Sequence, residues 1–365
     1  MLIPFHTANP PGQTHPGGNP SLTPPELSYP LASVRGVRKG AEMRAVVVDG
    51  PGGPEVLRVR EVPVPEVRDG WTLVRVEAFG LNRSELMTRQ GLSPNVRFPR
   101  VLGIECVGVV VESARLPPGA KVAAVMGEMG REFDGGYAEY ALLPDDLLIP
   151  VQTDLPSEVF AALPETYLTA SGSLAAFGPA SPGQSLLIRG GTSSVGMATL
   201  SLARERGLVT IATTRNRDKV AALEKAGASH VVVDRGDIGA DVRTLFPDGP
   251  DFVLDLIGAP TVPGSLRLVK RGGTVCVAGM LSGEWVIPDF QPVAAIPSGT
   301  KLTAFQSNDI RGASGGEALQ AIVDGVANGV YQPNLDRVFR LEQIVQAHAY
   351  MEANQAAGKV VVRND

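Results

Sequence analysis

The stretch Leu186-Leu187-Ile188-Arg189-Gly190-Gly191-Thr192-Ser193-Ser194-Val195-Gly196 constrains the fold of this chain more than any other. A short apolar run enters a turn made of small residues and leaves it as a helix, read here from about 195 to 206 with Gly207 as its stop. A strand, a tight turn and a helix in that order form the first part of a βαβ unit, which needs parallel neighbours. The sequence supplies them. Apolar runs at 208–213, 230–234, 252–257 and 274–278 read as further strands, and 301–306 as a sixth. Between them lie a helix at about 217–226, with Val220, Leu223 and Ala226 on one side, and another at 260–270. Alternating strands and helices predict a doubly wound parallel sheet.

The texture on either side is different. From Met43, runs at 45–48, 57–62, 71–78, 107–112, 121–125 and 137–142 read as short strands separated by Pro/Gly turns such as Pro51-Gly52-Gly53. That pattern suggests a compact, barrel-like β domain. Near the other end, a helix at about 341–352 precedes a strand at 359–363, which is expected to return to the β domain and make the parallel sheet an insertion. Residues 1–42 are rich in Pro, Gly, Ser and Thr without apolar periodicity, and read as a disordered extension. A transit segment and an upstream start, with Met43 as the native one, are the other readings of it.

Composition excludes several classes. The formal net charge of −5 argues against a general nucleic-acid binder. No apolar run is long enough to span a bilayer, so no membrane partner is expected. The two cysteines, Cys106 and Cys276, sit in apolar runs and read as small buried hydrophobes. Low cysteine use suits a reducing, cytoplasmic setting. The four histidines (His6, His15, His230 and His348) have no second ligand at metal-binding spacing.

The glycine turn carries the functional signal. Free backbone N–H groups and the helix dipole at such a turn attract a pyrophosphate, and small residues let it approach. Gly190, Thr192, Ser193, Ser194, Val195 and Gly196 are the candidate contacts, with Ser193 where a middle glycine is usual. Sites for NAD carry an acid at the end of the second strand to hold the ribose 2′-OH. Here Thr214 stands near that position and Arg215, Arg217 and Lys219 follow. A 2′-phosphate would be attracted by this cluster, so NADP (NADPH) is the expected cofactor. A solvated basic face on a helix start is the plainer alternative.

These blocks, in order, resemble the medium-chain dehydrogenase/reductase superfamily, best its zinc-free quinone oxidoreductase and enoyl reductase branch. The resemblance runs from about Met43 to Arg363. It rests on Gly80-Leu81-Asn82-Arg83-Ser84-Glu85, Pro99-Arg100-Val101-Leu102-Gly103-Ile104-Glu105, Asp134-Gly135-Gly136-Tyr137-Ala138-Glu139-Tyr140, Leu168-Thr169-Ala170, the glycine turn, and Ala357-Gly358-Lys359-Val360-Val361-Val362. It implies an α/β fold: a GroES-like β-rich catalytic domain with an inserted Rossmann domain. The implied boundaries are 43–165 for the first part of the substrate domain, 166–295 for the Rossmann unit, and 296–365 for the return, including the last Rossmann strand.

The resemblance also assigns roles. Asn82 stands where zinc-dependent members carry a Cys, Ile104 where they carry a His, and Glu165 near the third ligand. Isoleucine cannot bind a metal, so no metal is expected. In zinc-free relatives Asn82 would lie near the nicotinamide and substrate, although it also suits a plain turn. Thr169 would lie near the cofactor at the domain junction, and Lys219 matches a 2′-phosphate lysine. A homodimer through the Rossmann sheet edge is implied. One departure is the missing tyrosine between Gly80 and Pro99, since many such reductases have one near the Asn82 motif. Tyr137 and Tyr167 come nearest in the motifs.

Hydride transfer to a simple ketone creates a basic alkoxide, which needs a metal or a positioned acid. A quinone or an α,β-unsaturated carbonyl gives a delocalised anion instead. The expected function is therefore NADPH-dependent reduction of a quinone or enone. An enoyl-thioester reductase and a non-catalytic NADPH-binding sensor or structural protein remain the alternatives.

Overall fold

A computed structural model describes Arg38, residues 40–310 and residues 312–364. The expected extension at 1–42 lies outside the described residues, apart from Arg38 and residues 40–42. Those few belong to the fold: the carbonyl of Ala41 accepts from Val64 N (2.9 Å) and Glu42 pairs with Pro63.

Sixteen strands are described. They are β1 (Glu42–Val48), β2 (Arg58–Pro63), β3 (Trp71–Gly80), β4 (Arg100–Val101), β5 (Glu105–Glu112), β6 (Lys121–Val125), β7 (Tyr140–Pro144) and β8 (Leu148–Pro150) in the first part. Then come β9 (Ser185–Arg189), β10 (Val209–Thr214), β11 (His230–Val233), β12 (Phe252–Asp255), β13 (Thr274–Val277) and β14 (Lys301–Ala304). The chain closes with β15 (Leu335–Arg340) and β16 (Lys359–Arg363).

The middle six form one sheet in the order β11-β10-β9-β12-β13-β14, every pair parallel. All five residues of β9 are buried, the continuous apolar pattern of a strand covered on both faces. The chain builds outward from β9 to β11, then crosses back to β12 on the other side of β9. That reversal opens a crevice at the carboxyl ends of β9 and β12, where ligands of such sheets bind.

The first part forms a three-stranded sheet, β2-β1-β4, and a larger one ordered β15-β16-β3-β5-β6-β8, with β7 also on β3. Here β16 lies antiparallel to β3, pairing Val361 with Gly80. The return of the last strand is thus observed directly, and the fold is GroES-like with a Rossmann sheet. A helix at Pro164–Ala175 leads from one unit to the other and packs on the Ser194–Glu205 helix.

Three strands escaped the sequence: β4, β8 and β15. The first two are only two and three residues long. β15, with the sequence LDRVFR, has one buried residue and too few apolar residues to show a period. The strand expected at 137–142 starts at Tyr140 instead, because Tyr137 and Ala138 are buried in loop backbone that bonds to Leu102 and Val46.

Candidate functional site

The glycine turn sits at the carboxyl end of β9, in the crevice. Gly190 has φ +84, a left-handed conformation that favours glycine. A Cβ on Gly196 would meet the carbonyl oxygens of Gly190 and Gly191 at 2.7 Å, so only glycine allows the helix to start this close to the strand. Ser193, at the usual glycine position, is the N-cap. Its hydroxyl donates to Gly190 O (2.8 Å) and accepts from Gly196 N (3.1 Å). By helix geometry the N–H groups of Ser194 and Val195 have no intrahelical acceptor, and they head the anion-attracting end of the helix. Thr192, Ser193, Ser194 and Val195 are half-buried, as a ligand-lined turn requires. The turn therefore fits a dinucleotide diphosphate.

Thr214 ends β10 and closes the next turn on itself: its hydroxyl donates to Asn216 O (3.1 Å) and accepts from Asn216 N (3.2 Å). Arg215 is exposed beside it. Lys219 Nζ donates to the carbonyls of Asn354 (2.7 Å) and Ala356 (2.6 Å), outside the Rossmann unit. A further cation stands here, from outside the cluster that follows β10. Arg83, next to Asn82, donates to the side-chain oxygen of Asn354. Burial, then Arg215, pushes the Arg83 guanidinium below its usual range, against the pull of Glu352. Burial also lowers the Lys219 ammonium; Asp336 opposes, while Arg215 and Arg83 lower it further.

The other end of the crevice is a buried polar cluster. Asn82 caps the Arg83–Arg89 helix, and its backbone N–H donates to Glu85 (3.0 Å). Lys359 Nζ donates to Asn82 Oδ1 (2.6 Å) and to Glu105 Oε1. Asn82 Nδ2 donates to the same Glu105 oxygen (2.9 Å) and, over a longer 3.3 Å, to Glu85. The other Glu105 oxygen accepts from Glu165 N (3.1 Å), and Glu165 Oε1 accepts from Thr169 (3.1 Å) and Ser307 (2.8 Å). Asn82 and Thr169 are thus tied into one chain of contacts.

Lys359, Glu105 and Glu85 are each only 1% exposed. Gly80 makes room for them, since a Cβ there would lie 2.3 Å from Lys359 Cε and 2.4 Å from Glu105 Oε1. Burial drives the Glu85 carboxyl up to about 7, with Glu105 adding and Lys359 and backbone donors opposing. Burial, then Glu105, also raises Glu165 to about 7. Its Oε2 is buried without a partner.

Sequence reasoning missed Lys359 as a site residue. Its signal was a lone charge opening the apolar run Val360-Val361-Val362. The tyrosines are elsewhere. Tyr137 stacks on Phe79 and meets His348 Nε2 at 3.2 Å, wholly buried, and Tyr167 donates to the carbonyl of Gln332. Both cysteines are buried and free.

Zinc does not fit this cluster. The Asn82 amide is occupied by Lys359 and Glu105, and an ammonium already supplies the local positive charge. Ile104 presents no ligand atom. Among the described residues no three His, Cys, Asp or Glu side chains are grouped to hold a metal. No helix there is long and apolar enough to cross a membrane.

A Rossmann crevice with a diphosphate turn, set against a GroES-like sheet, defines a nicotinamide-dependent oxidoreductase class. Comparison with known proteins agrees. The alcohol dehydrogenase GroES-like domain family matches residues 68–153, and the zinc-binding dehydrogenase family matches 226–362. Quinone oxidoreductase of Lama guanicoe is 30% identical over 332 residues, covering 88% of this chain and 97% of the relative. The synaptic vesicle membrane protein VAT-1 homolog of Danio rerio is 27% identical, covering 88% and 70%. A mycobacterial protein solved in complex with NADPH superposes with TM-score 0.79 at 27% identity, covering 88% of this chain and all of the other. The chain belongs to the medium-chain dehydrogenase/reductase superfamily, in its quinone oxidoreductase-like branch.

Proposed function

We propose that the protein reduces a quinone or an α,β-unsaturated carbonyl with NADPH and without zinc. The observation that carries this reading is the pairing of a cationic pocket after β10 with a substrate end whose positive charge is a lysine. NADPH, when bound, supplies the hydride; the protein supplies placement. The turn from Gly190 to Gly196 holds the diphosphate, and Arg215 and Lys219 take the 2′-phosphate. The NADPH complex of the mycobacterial neighbour is consistent with that choice.

At the substrate end, Lys359 locks the Asn82 carbonyl and so fixes the direction of its N–H groups. One N–H is committed to Glu105. The other makes only the 3.3 Å contact with Glu85, and a substrate oxygen of growing negative charge competes well for it. Thr169 and Ser307 hold Glu165, which keeps the junction helix in register with Glu105. A delocalised anion needs little more stabilisation, and water can supply the proton.

The test follows absorbance loss of NADPH with quinones, enones and enoyl-CoA esters, using NADH as control. Turnover with quinones or enones and preference for NADPH are expected. Turnover of enoyl-CoA esters alone would select the thioester reductase reading. Binding of NADPH without turnover of any acceptor would mark a sensor or structural role. Oxidation of simple alcohols with NADP⁺ as the sole activity would defeat all three. We also propose a homodimer. The strand β14 ends the six-stranded order, and in the segment that joins β13 to β14 Trp285 and Val286 are 60% and 73% exposed. Light scattering reads the mass directly.

A further inference from the structure

Three of the cations beyond the glycine turn come from both sides of the crevice. Arg215 and Lys219 follow β10, whereas Arg83 opens the Arg83–Arg89 helix of the GroES-like part. Arg83 and Lys219 meet on Asn354, and the charge of Arg215 bears on both. The Asn354 side-chain oxygen accepts from Arg83 and its carbonyl from Lys219 at 2.7 Å, and its own φ of +54 is a conformation few residues adopt. Among the described residues, none of the three forms an ion pair with a carboxylate. The acids whose charge bears on Lys219 and Arg83 are engaged elsewhere: Asp336 accepts from the Tyr350 hydroxyl (2.9 Å), and Glu352 pairs with the buried Arg89. Like charges held together at partial burial repel unless an anion joins them.

We infer that Arg83 completes the 2′-phosphate site from the substrate side, so that one phosphate bridges the two halves of the crevice and positions Asn82. This rests on the NADPH reading, which by itself needs only Arg215 and Lys219. A phosphate monoester offers three acceptor oxygens. Two guanidinium groups and an ammonium give one cationic donor for each oxygen and more than offset its charge of about −2. Arg83 directly follows Asn82, the helix cap whose amide meets Lys359 and Glu105. Anchoring Arg83 therefore fixes the start of that helix and the amide with it. The 2′-phosphate is predicted to raise turnover as well as affinity.

The experiment titrates the full chain with 2′,5′-ADP and with 5′-AMP by calorimetry, for the wild type, Arg83→Met, Arg83→Lys and Arg215→Ala. The methionine keeps the aliphatic stem, and the lysine keeps the charge while losing the fork. Arg83→Met and Arg215→Ala should each weaken 2′,5′-ADP at least tenfold and leave 5′-AMP within twofold, with Arg83→Lys between wild type and Arg83→Met. If Arg215→Ala weakens 2′,5′-ADP and neither Arg83 variant does, the inference fails while the NADPH reading stands. If no variant separates the two ligands, the NADPH reading falls too. Steady-state rates test the positioning. At saturating NADPH, Arg83→Met should lower kcat toward the value with NADH, and a change confined to KM would overturn that part.

Discussion

Replacing Lys359 with methionine tests the account of the buried cluster most directly. The ammonium and its partner Glu105 are both 1% exposed, and the same nitrogen holds Asn82 Oδ1 at 2.6 Å. Methionine preserves the unbranched shape that Gly80 accommodates. It leaves the Glu105 carboxylate in the interior with Glu85 and Glu165 nearby and no cation among them. Removing one member of a buried pair typically costs about 3–5 kcal/mol. Glu105 keeps two donors, Asn82 Nδ2 at 2.9 Å and Glu165 N at 3.1 Å, so the lower end, about 3 kcal/mol, is expected at alkaline pH. Protonation of Glu85 and Glu165 relieves the repulsion, so the penalty shrinks toward acid. Urea denaturation at pH 8 and pH 5 of the wild type, Lys359→Met, Glu105→Gln and the double variant closes the cycle. The double variant should recover most of the loss, since it removes the orphaned charge. A Lys359→Met penalty below about 1 kcal/mol at pH 8, or a double variant no more stable than the single, would refute the reasoning.

Three further outcomes are expected. Gly196→Ala drives a methyl against two carbonyl oxygens 2.7 Å away, so calorimetry should show a stability loss of about 1–3 kcal/mol and NADPH titration a weaker complex. Glu165 is raised to about 7 in the fold from an ordinary 4.5. Its contribution is therefore complete below about 4.5 and is lost as the pH rises through 7. Glu165→Gln should flatten that decline, by up to about 3 kcal/mol, in melting curves recorded from pH 4.5 to 8. His348 has the opposite sign. Burial, reinforced by Arg89, depresses it to about 3, so stability present above 6.5 falls away in acid. Denaturation of His348→Gln should be less acid-sensitive over that interval.

Much of the fold was legible because its signals are local. The apolar runs of β9 to β13 and the helix after the glycine turn follow from periodicity and stop residues, to within a residue or two at most ends. Ser193 also made sense once its hydroxyl proved to be a cap; a serine there replaces glycine's permissiveness with two hydrogen bonds. The site was only half legible. Asn82, Thr169 and the turn stood in recognisable blocks, but what joins them did not. Lys359 reaches Asn82 because β16 pairs with β3, and Arg83 meets Lys219 because both lean on Asn354. Such meetings depend on pairings between residues far apart in sequence, which no periodicity encodes. Glu105 and Lys359 were visible as charges in apolar runs, yet one sequence could not show that each answers the other.

The place of β16 between β15 and β3 sets a timetable for synthesis on the ribosome. The strand β3 emerges early, but Val361, the partner of Gly80, is made long after the whole Rossmann sheet. The parallel sheet can fold as a unit while the GroES-like part still shows an open edge. Until β16 docks, Glu105 also lacks its cation. A stalled or shortened nascent chain would therefore expose a complete nucleotide fold beside an unfinished, adhesive neighbour, which is the form a chaperone would meet first.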